Sequence, residues 1–152
     1  MILQESLPML EILKMQPLIK DISLSDTNIV RFMLNGIPAK AADYHHSICV
    51  GLVFIEKKMI SDAVIRYITL MLVALEDTQD FALQLNDGYW WLWCRHTIND
   101  RDSVEDSRRK LGAKLEQIHA VNQHFNSLVT TMSSSGLRSS SQYKNSVSKA
   151  IL

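Results

Sequence analysis

Five histidines, two cysteines and a group of carboxylates are the side chains here that could hold a metal, move a proton or attack a carbonyl. Their spacing argues against each of these uses. His45 and His46 are adjacent in a turn-like stretch and cannot readily chelate one ion. His119 and His124 are five apart on an expected helix, so they point about 140° from one another. His96 falls near the end of an expected strand and should lie at the surface. Asp100, Asp102, Glu105 and Asp106 crowd the start of a helix, where turn chemistry and the positive helix end explain them better than paired-carboxylate catalysis does. Cys49 and Cys94 lie inside expected strands with no metal-ligand spacing, and buried thiols are the expectation. There is no Gly-rich phosphate loop, HExxH, CxxC or nucleophile elbow. Nothing in the residues supports an enzyme, a metal centre or a cofactor site.

The elements that must position any site begin with residues 81–98, FALQLNDGYWWLWCRHTI. Asp87-Gly88 lies between two runs of strand formers, the strongest short-range hairpin signal. With these two residues central, Asn86 faces Tyr89, Leu85 faces Trp90, Leu83 faces Leu92 and Phe81 faces Cys94. One face is then wholly apolar. The other carries Ala82, Gln84, Tyr89, Trp91 and Trp93, and a sheet with two such faces needs cover on both sides. After it, Ser103-Val-Glu-Asp106 resembles a capping box opening a helix to about Val129. Its stripe of Val104, Leu111, Leu115, Ile118, Phe125 and Val129 should lie on the sheet.

A chain of 152 residues suits one domain with a real core. Sixteen basic and sixteen acidic residues cancel, which argues against a nucleic-acid binder. The hydrophobic fraction of 47% excludes a disordered protein and leaves apolar surface to spare for partners. No run reaches the roughly 18 apolar residues of a membrane span. The first ten residues, MILQESLPML, lack a basic n-region and a small-residue cleavage site, so a cytoplasmic protein is expected.

In chain order, Ser6 can cap a short helix over residues 7–15, with Pro8 in its first turn and Pro17 stopping it. Short strands follow at 22–24 and 29–34. Asn35-Gly36 turns the second into a third at 37–42, where Pro38 suggests an edge or bulged strand. Residues 47–55 form a continuous apolar strand in which Gly51 allows a bulge or a close approach. Residues 60–75, ISDAVIRYITLMLVAL, are too long for a strand. As a helix their apolar arc spans roughly 220°, against about 100° for a helix facing one core. Leaving Ile65, Ile68, Leu70 and Leu72 in water would forfeit roughly 5–12 kcal/mol, which rivals the stability of a domain. A second surface should cover them: the aromatic face of the hairpin, another chain, or both. Ala63 and Ala74 flank Tyr67 and Leu70 and would let a symmetry mate approach closely, so a two-fold contact is expected there. Residues 130–152 turn Ser-rich, with Arg138, Lys144 and Lys149 unopposed by acids, and a disordered tail is expected beyond a domain at 1–129.

These elements make an α+β fold: a twisted antiparallel sheet of about five to six strands with three helices, in the order α-βββ(β)-α-ββ-α. Residues 22–34, 60–75, 81–97 and 100–128 carry a resemblance, in pattern and order, to the class I chaperones of bacterial type III secretion, the Tir-chaperone family. It spans about residues 5–129. Residues 22–34 look like the family's first strands broken by an acidic turn, and 60–75 look like its dimer helix. The remainder looks like its last hairpin and C-terminal helix. The resemblance implies a cytoplasmic bacterial homodimer, dimerised through the central helix. It would bind an extended N-terminal segment of a secreted effector, keep it secretion-competent and present it to an export ATPase or sorting platform, without a cofactor of its own. The matching effector-binding positions are Leu7, Leu10 and Leu13 on the first helix and Ile29, Phe32 and Leu34 on the second strand, with Met9 and Met15 adapting the groove. The chain departs from many family members in being neutral rather than acidic, in carrying Pro8 in a short first helix, and in its longer basic tail. Two other functions fit the same elements. One is a subunit of a heterodimeric gatekeeper or export-apparatus chaperone, and the other is a structural or regulatory α+β domain without a client, in which the apolar helix is buried by its own sheet.

Overall fold

The computed structural model describes residues 8–24 and 29–138. Two turns set the sheet. Asn35-Gly36 (φ 47° and 84°) and Asp87-Gly88 (φ 52° and 80°) both place two consecutive residues in the left-handed region, as a tight hairpin needs. The first joins β2 (Ile29–Leu34) to β3 (Ile37–Asp43); the second joins β5 (Phe81–Asn86) to β6 (Tyr89–Thr97). The expected pairing of the second hairpin is found, from Asn86 with Tyr89 through Leu83 with Leu92 to Phe81 with Cys94. With β1 (Ile19–Leu24) and β4 (Ser47–Glu56) they form one antiparallel six-stranded sheet of order β1-β2-β3-β4-β6-β5. Three helices complete the α+β fold: α1 (Pro8–Lys14), α2 (Asp62–Ala74) and α3 (Val104–Arg138).

The core lies on one side of the sheet. Val30, Phe32, Leu34, Val50, Leu52, Leu92 and Phe81 pack with Leu13 of α1, with Ile65, Ile68 and Leu72 of α2, and with Leu111, Leu115, Ile118, Phe125 and Val129 of α3. Within the α3 stripe Asn122 is 1% exposed and stands among apolar neighbours. Its Nδ2 donates to the Val53 carbonyl at 3.2 Å, where the β4–β6 register shifts between Val53 and Ile55. A buried amide is tolerated because it meets a carbonyl where the bulge interrupts the ladder. Gln16, also buried, ties the end of α1 to α3 by donating to the Arg108 carbonyl at 3.0 Å.

Several expectations are revised. β1 starts at Ile19, three residues early, because a register shift between Lys20 and Ser23 with Asp21 at φ 58° breaks the alternation a sequence reading needs. β3 is an interior strand; Pro38 is tolerated because it pairs with Met33 before the ladder to β4 begins at Ala39. Val104 is 63% exposed, being the first residue of α3 and ahead of the part that crosses the sheet. α3 continues nine residues past Val129 to Arg138, with the Thr130 and Thr131 hydroxyls satisfied within the helix by donating to the carbonyls of Asn126 and Ser127 at 2.9 Å. Ser6, Leu7 and residues 139–152 lie outside the described residues.

The other side of the sheet carries no helix in the core cluster and is covered by its own side chains. The Trp93 indole lies against Gly51 so closely that a Cβ there would sit 2.7 Å from the ring. Trp91 is 8% exposed, with its ring centroid 6.3 Å from that of Trp93 and the Lys40 ammonium 4.3 Å above it. The expected aromatic face therefore exists, and it gains cover from a cation and from lying flat. We expect Gly51→Ala to lower stability by about 1–3 kcal/mol through overpacking. Urea unfolding followed by tryptophan emission measures this, and an unchanged midpoint would mean that the ring moves aside freely.

Candidate functional site

The chemistry-capable side chains stay apart. Among the described residues no group of three or more His, Cys, Asp or Glu could hold a metal. His45 and His46 are exposed in the β3–β4 turn. His119 Nε2 accepts from Asn35 Nδ2 at 3.2 Å, and His124 meets Phe125 edge-on at a centroid distance of 5.3 Å. His96 is half-buried rather than at the surface. Burial first, then Lys114 and Lys110, hold its pKa below the usual imidazole value, so it is neutral at pH 7. The carboxylates at the start of α3 do cap and pair: the Asp106 amide donates to Ser103 Oγ at 3.1 Å, Arg109 reaches Asp106 at 3.1 Å, and Glu105 pairs with Arg108. Lys110 holds Asp102 at 2.8 Å. Hydrogen bonds to Arg108 and to Ser103 lead in holding Glu105 and Asp106 below the usual carboxylate range, which is the signature of a stabilised helix end. Cys94 is 2% exposed and its burial pushes the thiol pKa up to about 12, while Cys49 is only half-buried.

The surface that stands out is on α2. Ser61 caps it, accepting from the Val64 amide at 3.3 Å, and Thr78 closes it by donating to the Leu72 carbonyl at 2.8 Å. Its inner side buries Val64, Ile65, Ile68 and Leu72. Three of the four residues expected to need outside cover are thus satisfied by the chain's own core, and Leu70, 57% exposed, is not. Ala63, Tyr67, Leu70 and Ala74 recur at spacings of four, three and four, which makes one stripe turned away from the buried side. Along it Ala63 and Tyr67 are half-buried, and Leu70 and Ala74 are exposed. The sequence reading did not single out Val73 (61% exposed), Leu75 (47%) or Met59 (62%), which extend the apolar surface. Val73 escaped notice because its helical neighbours are Arg66 and Thr69, which look like a solvated edge.

The six expected effector-contacting positions do not form one surface. Leu13, Phe32 and Leu34 are at most 3% exposed and belong to the core, because α1 and the core-side residues of β2 face α3. Leu10 and Ile29 are half-buried, and Leu7 lies outside the described residues. Met15, 51% exposed, follows the last residue of α1, and Ile29 stands on the helix-free side of the sheet, opposite Ala42. Periodicity identified which residues are apolar there, and it had no means of separating a core-facing side from a groove-facing one.

No family model and no curated protein matches the chain. Solved structures do. A chain of the ExsC-ExsE complex superposes with a TM-score of 0.53 at 9% identity, over 80% of this chain and 91% of that one. A chain of the HopA1-SchA chaperone-effector complex gives 0.49 at 15% identity, over 79% and 97%. The Yersinia pestis type III secretion chaperone SycH, in complex with a fragment of YscM2, gives 0.45 at 14% identity, over 77% and 98%. The fold is that of the class I type III secretion chaperones. Among the described residues no helix is long and apolar enough to cross a membrane.

The contrast between the two thiols is measurable. With its pKa raised, Cys94 stays protonated at pH 8 and unreactive. A disulfide reagent should label Cys49 in the native protein and reach Cys94 only in denaturant. Rapid native labelling of both would contradict the burial described.

Proposed function

We propose that this chain is a type III secretion chaperone, a non-enzymatic dimer in the bacterial cytoplasm that binds an extended N-terminal segment of a secreted effector and keeps it competent for export. The observation that carries the reading is the uncovered apolar surface of α2 in a fold matched by ExsC, a chain solved in complex with ExsE. Leu70, Val73 and Leu75 are each about half exposed, so covering them yields roughly 2–5 kcal/mol per protomer. Two protomers then gain about 4–10 kcal/mol, which only matches the 4–15 kcal/mol that association costs. The contact must therefore extend over Met59 and Tyr67, with Ala63 and Ala74 allowing the two helices to approach. One charge in its middle suffices to break it.

On the α1 side effector contact falls to the half-buried Leu10 with Met15, with Leu13, Phe32 and Leu34 in the core beneath; Ile29 stands on the helix-free side of the sheet, in the row of Ala42 and Cys49, and is not part of this contact. An extended segment would lay apolar anchors against this end of the molecule.

Light scattering during gel filtration tests the dimer. The expected mass is twice 17.3 kDa for the chain as it stands. Leu70→Asp should halve that mass while leaving the circular dichroism unchanged, because the side chain points away from the core. A wild-type monomer would instead favour the client-free domain, and a folded Leu70→Asp dimer would remove α2 from the interface. Leu10→Glu should weaken binding of the effector segment at least tenfold, about 1.4 kcal/mol, without changing the mass. Undiminished binding would move the groove elsewhere.

A further inference from the structure

At one corner of the sheet a half-buried histidine lies under two lysines of α3. Leu92 and Cys94 of β6 face the core, so His96, two residues on, faces the same way, and its partner on β4 is the fully buried Ile48. The start of α3 roofs this corner. The Lys114 ammonium stands 5.5 Å from the centre of the Phe81 ring, and Phe81 pairs with Cys94, so that charge lies at the His96 end of β6. Lys110 is one helical turn earlier on the same face and holds Asp102 of the preceding loop at 2.8 Å; Asp80, just ahead of β5, reaches Lys114 at 4.0 Å. The charges that bear on His96 are therefore these two cations and Asp102, whose carboxylate is already engaged by Lys110. The strands beside it add only Ile48 and the protonated Cys94 thiol. The β3–β4 turn joins this end through a backbone bond, from the Ile98 amide to the His46 carbonyl at 2.9 Å, and its own two imidazoles are exposed. The same turns of α3 hold α1. Gln16 donates to the Arg108 carbonyl at 3.0 Å, and its Oε1 lies so near Gly112 that a Cβ there would stand 2.8 Å away.

We propose that His96 is the proton-sensitive part of a latch: a proton on its imidazole loosens the first turns of α3, and α1 with them, from the sheet. In the closed corner burial, Lys114 and Lys110 all disfavour the imidazolium, which holds the pKa of His96 below its ordinary value. When the first turns of α3 lift, water reaches the ring, the lysines move off, and the ordinary value of about 6.5 returns. The open form then binds the proton more tightly than the closed form does. The closed corner consequently has its full stability above about pH 6.5 and loses it as the pH falls below that value. Leu111 is fully buried on these turns, so opening stays a minor event and the proton sets how minor. One proton taken up on opening multiplies the open population by at most about tenfold per pH unit. The latch acts on the helix that carries Leu10; that it regulates effector release rests on the function proposed above, whereas the latch itself does not.

Hydrogen exchange of the full chain, followed by mass spectrometry and corrected for the intrinsic pH dependence of exchange, tests this with no client present. Between about pH 7.5 and pH 5.5 the opening of segments 8–16 and 104–115 should rise about tenfold, while that of 117–130 changes by less than about twofold. His96→Gln, neutral throughout this range, should abolish the rise. Lys110→Gln removes one cation and frees Asp102 to meet the imidazolium, so it should cut the rise to less than about half with His96 in place. That second variant decides the matter if His96→Gln does not fold. A full rise in either variant, or an acid response spread evenly over all of α3, would overturn the proposal. The predicted pattern in a protein that binds no effector segment would leave the latch standing and remove the chaperone reading alone.

Discussion

The constraint on which the structure depends is that one side of a six-stranded sheet must be covered by three helices that together are just large enough to do it. α3 supplies most of that cover, and it reaches β4 and β6 with five large side chains and one amide. The amide is informative. A stripe of pure aliphatics would gain more from burial, but the β4 bulge leaves a backbone carbonyl that some donor must meet. Asn122 fixes where along the sheet α3 can sit, because sliding the helix by one turn would strand both groups. From that anchor the rest follows: α1 is held against α3 through Gln16, and α2 is left the narrow band beside β5.

Because the helices are all used on one side, everything else must be solved by other means. The opposite side flattens two indoles against the sheet, with a glycine beneath one and a lysine above the other. α2 buries one side and leaves Leu70 and Val73 exposed on the other, beside Arg66 and Thr69. Both are ways in which a sheet of this size, under a limited number of helices, ends with more apolar surface than one chain can hide. Apolar surface of this extent on a folded chain marks an interaction site when it is rimmed by charge or occupied by a partner.

Much of this architecture was legible in the residues. The hairpins could be read to the exact pair because Asn-Gly and Asp-Gly demand left-handed backbone at both central positions, and few other geometries accept them. The stripe on α3 was legible because it repeats for seven turns. What escaped was context. Pro38 signals an edge strand in isolation, yet the neighbouring strand begins one residue later. Threonines after Val129 suggest the end of a helix, yet the hydroxyls of Thr130 and Thr131 bond back along it without interrupting it. The candidate site was the least legible part. Leu10 and Leu13, or Ile29 and Phe32, are equally apolar, and only the packed structure decides which of each pair faces outward.

The strand order carries a consequence for how the chain is made. β6 is inserted between β4 and β5, so the long apolar β4 gains its second neighbour only after α2 and the last hairpin have been synthesised. During translation residues 47–56 wait as an open sheet edge, with their backbone groups unpaired on one side, through some forty further residues of elongation. At about 5–20 residues per second this exposure lasts seconds, far longer than a hairpin takes to close. The strand that ends at the centre of the sheet is thus the one that stays open longest while the chain is made.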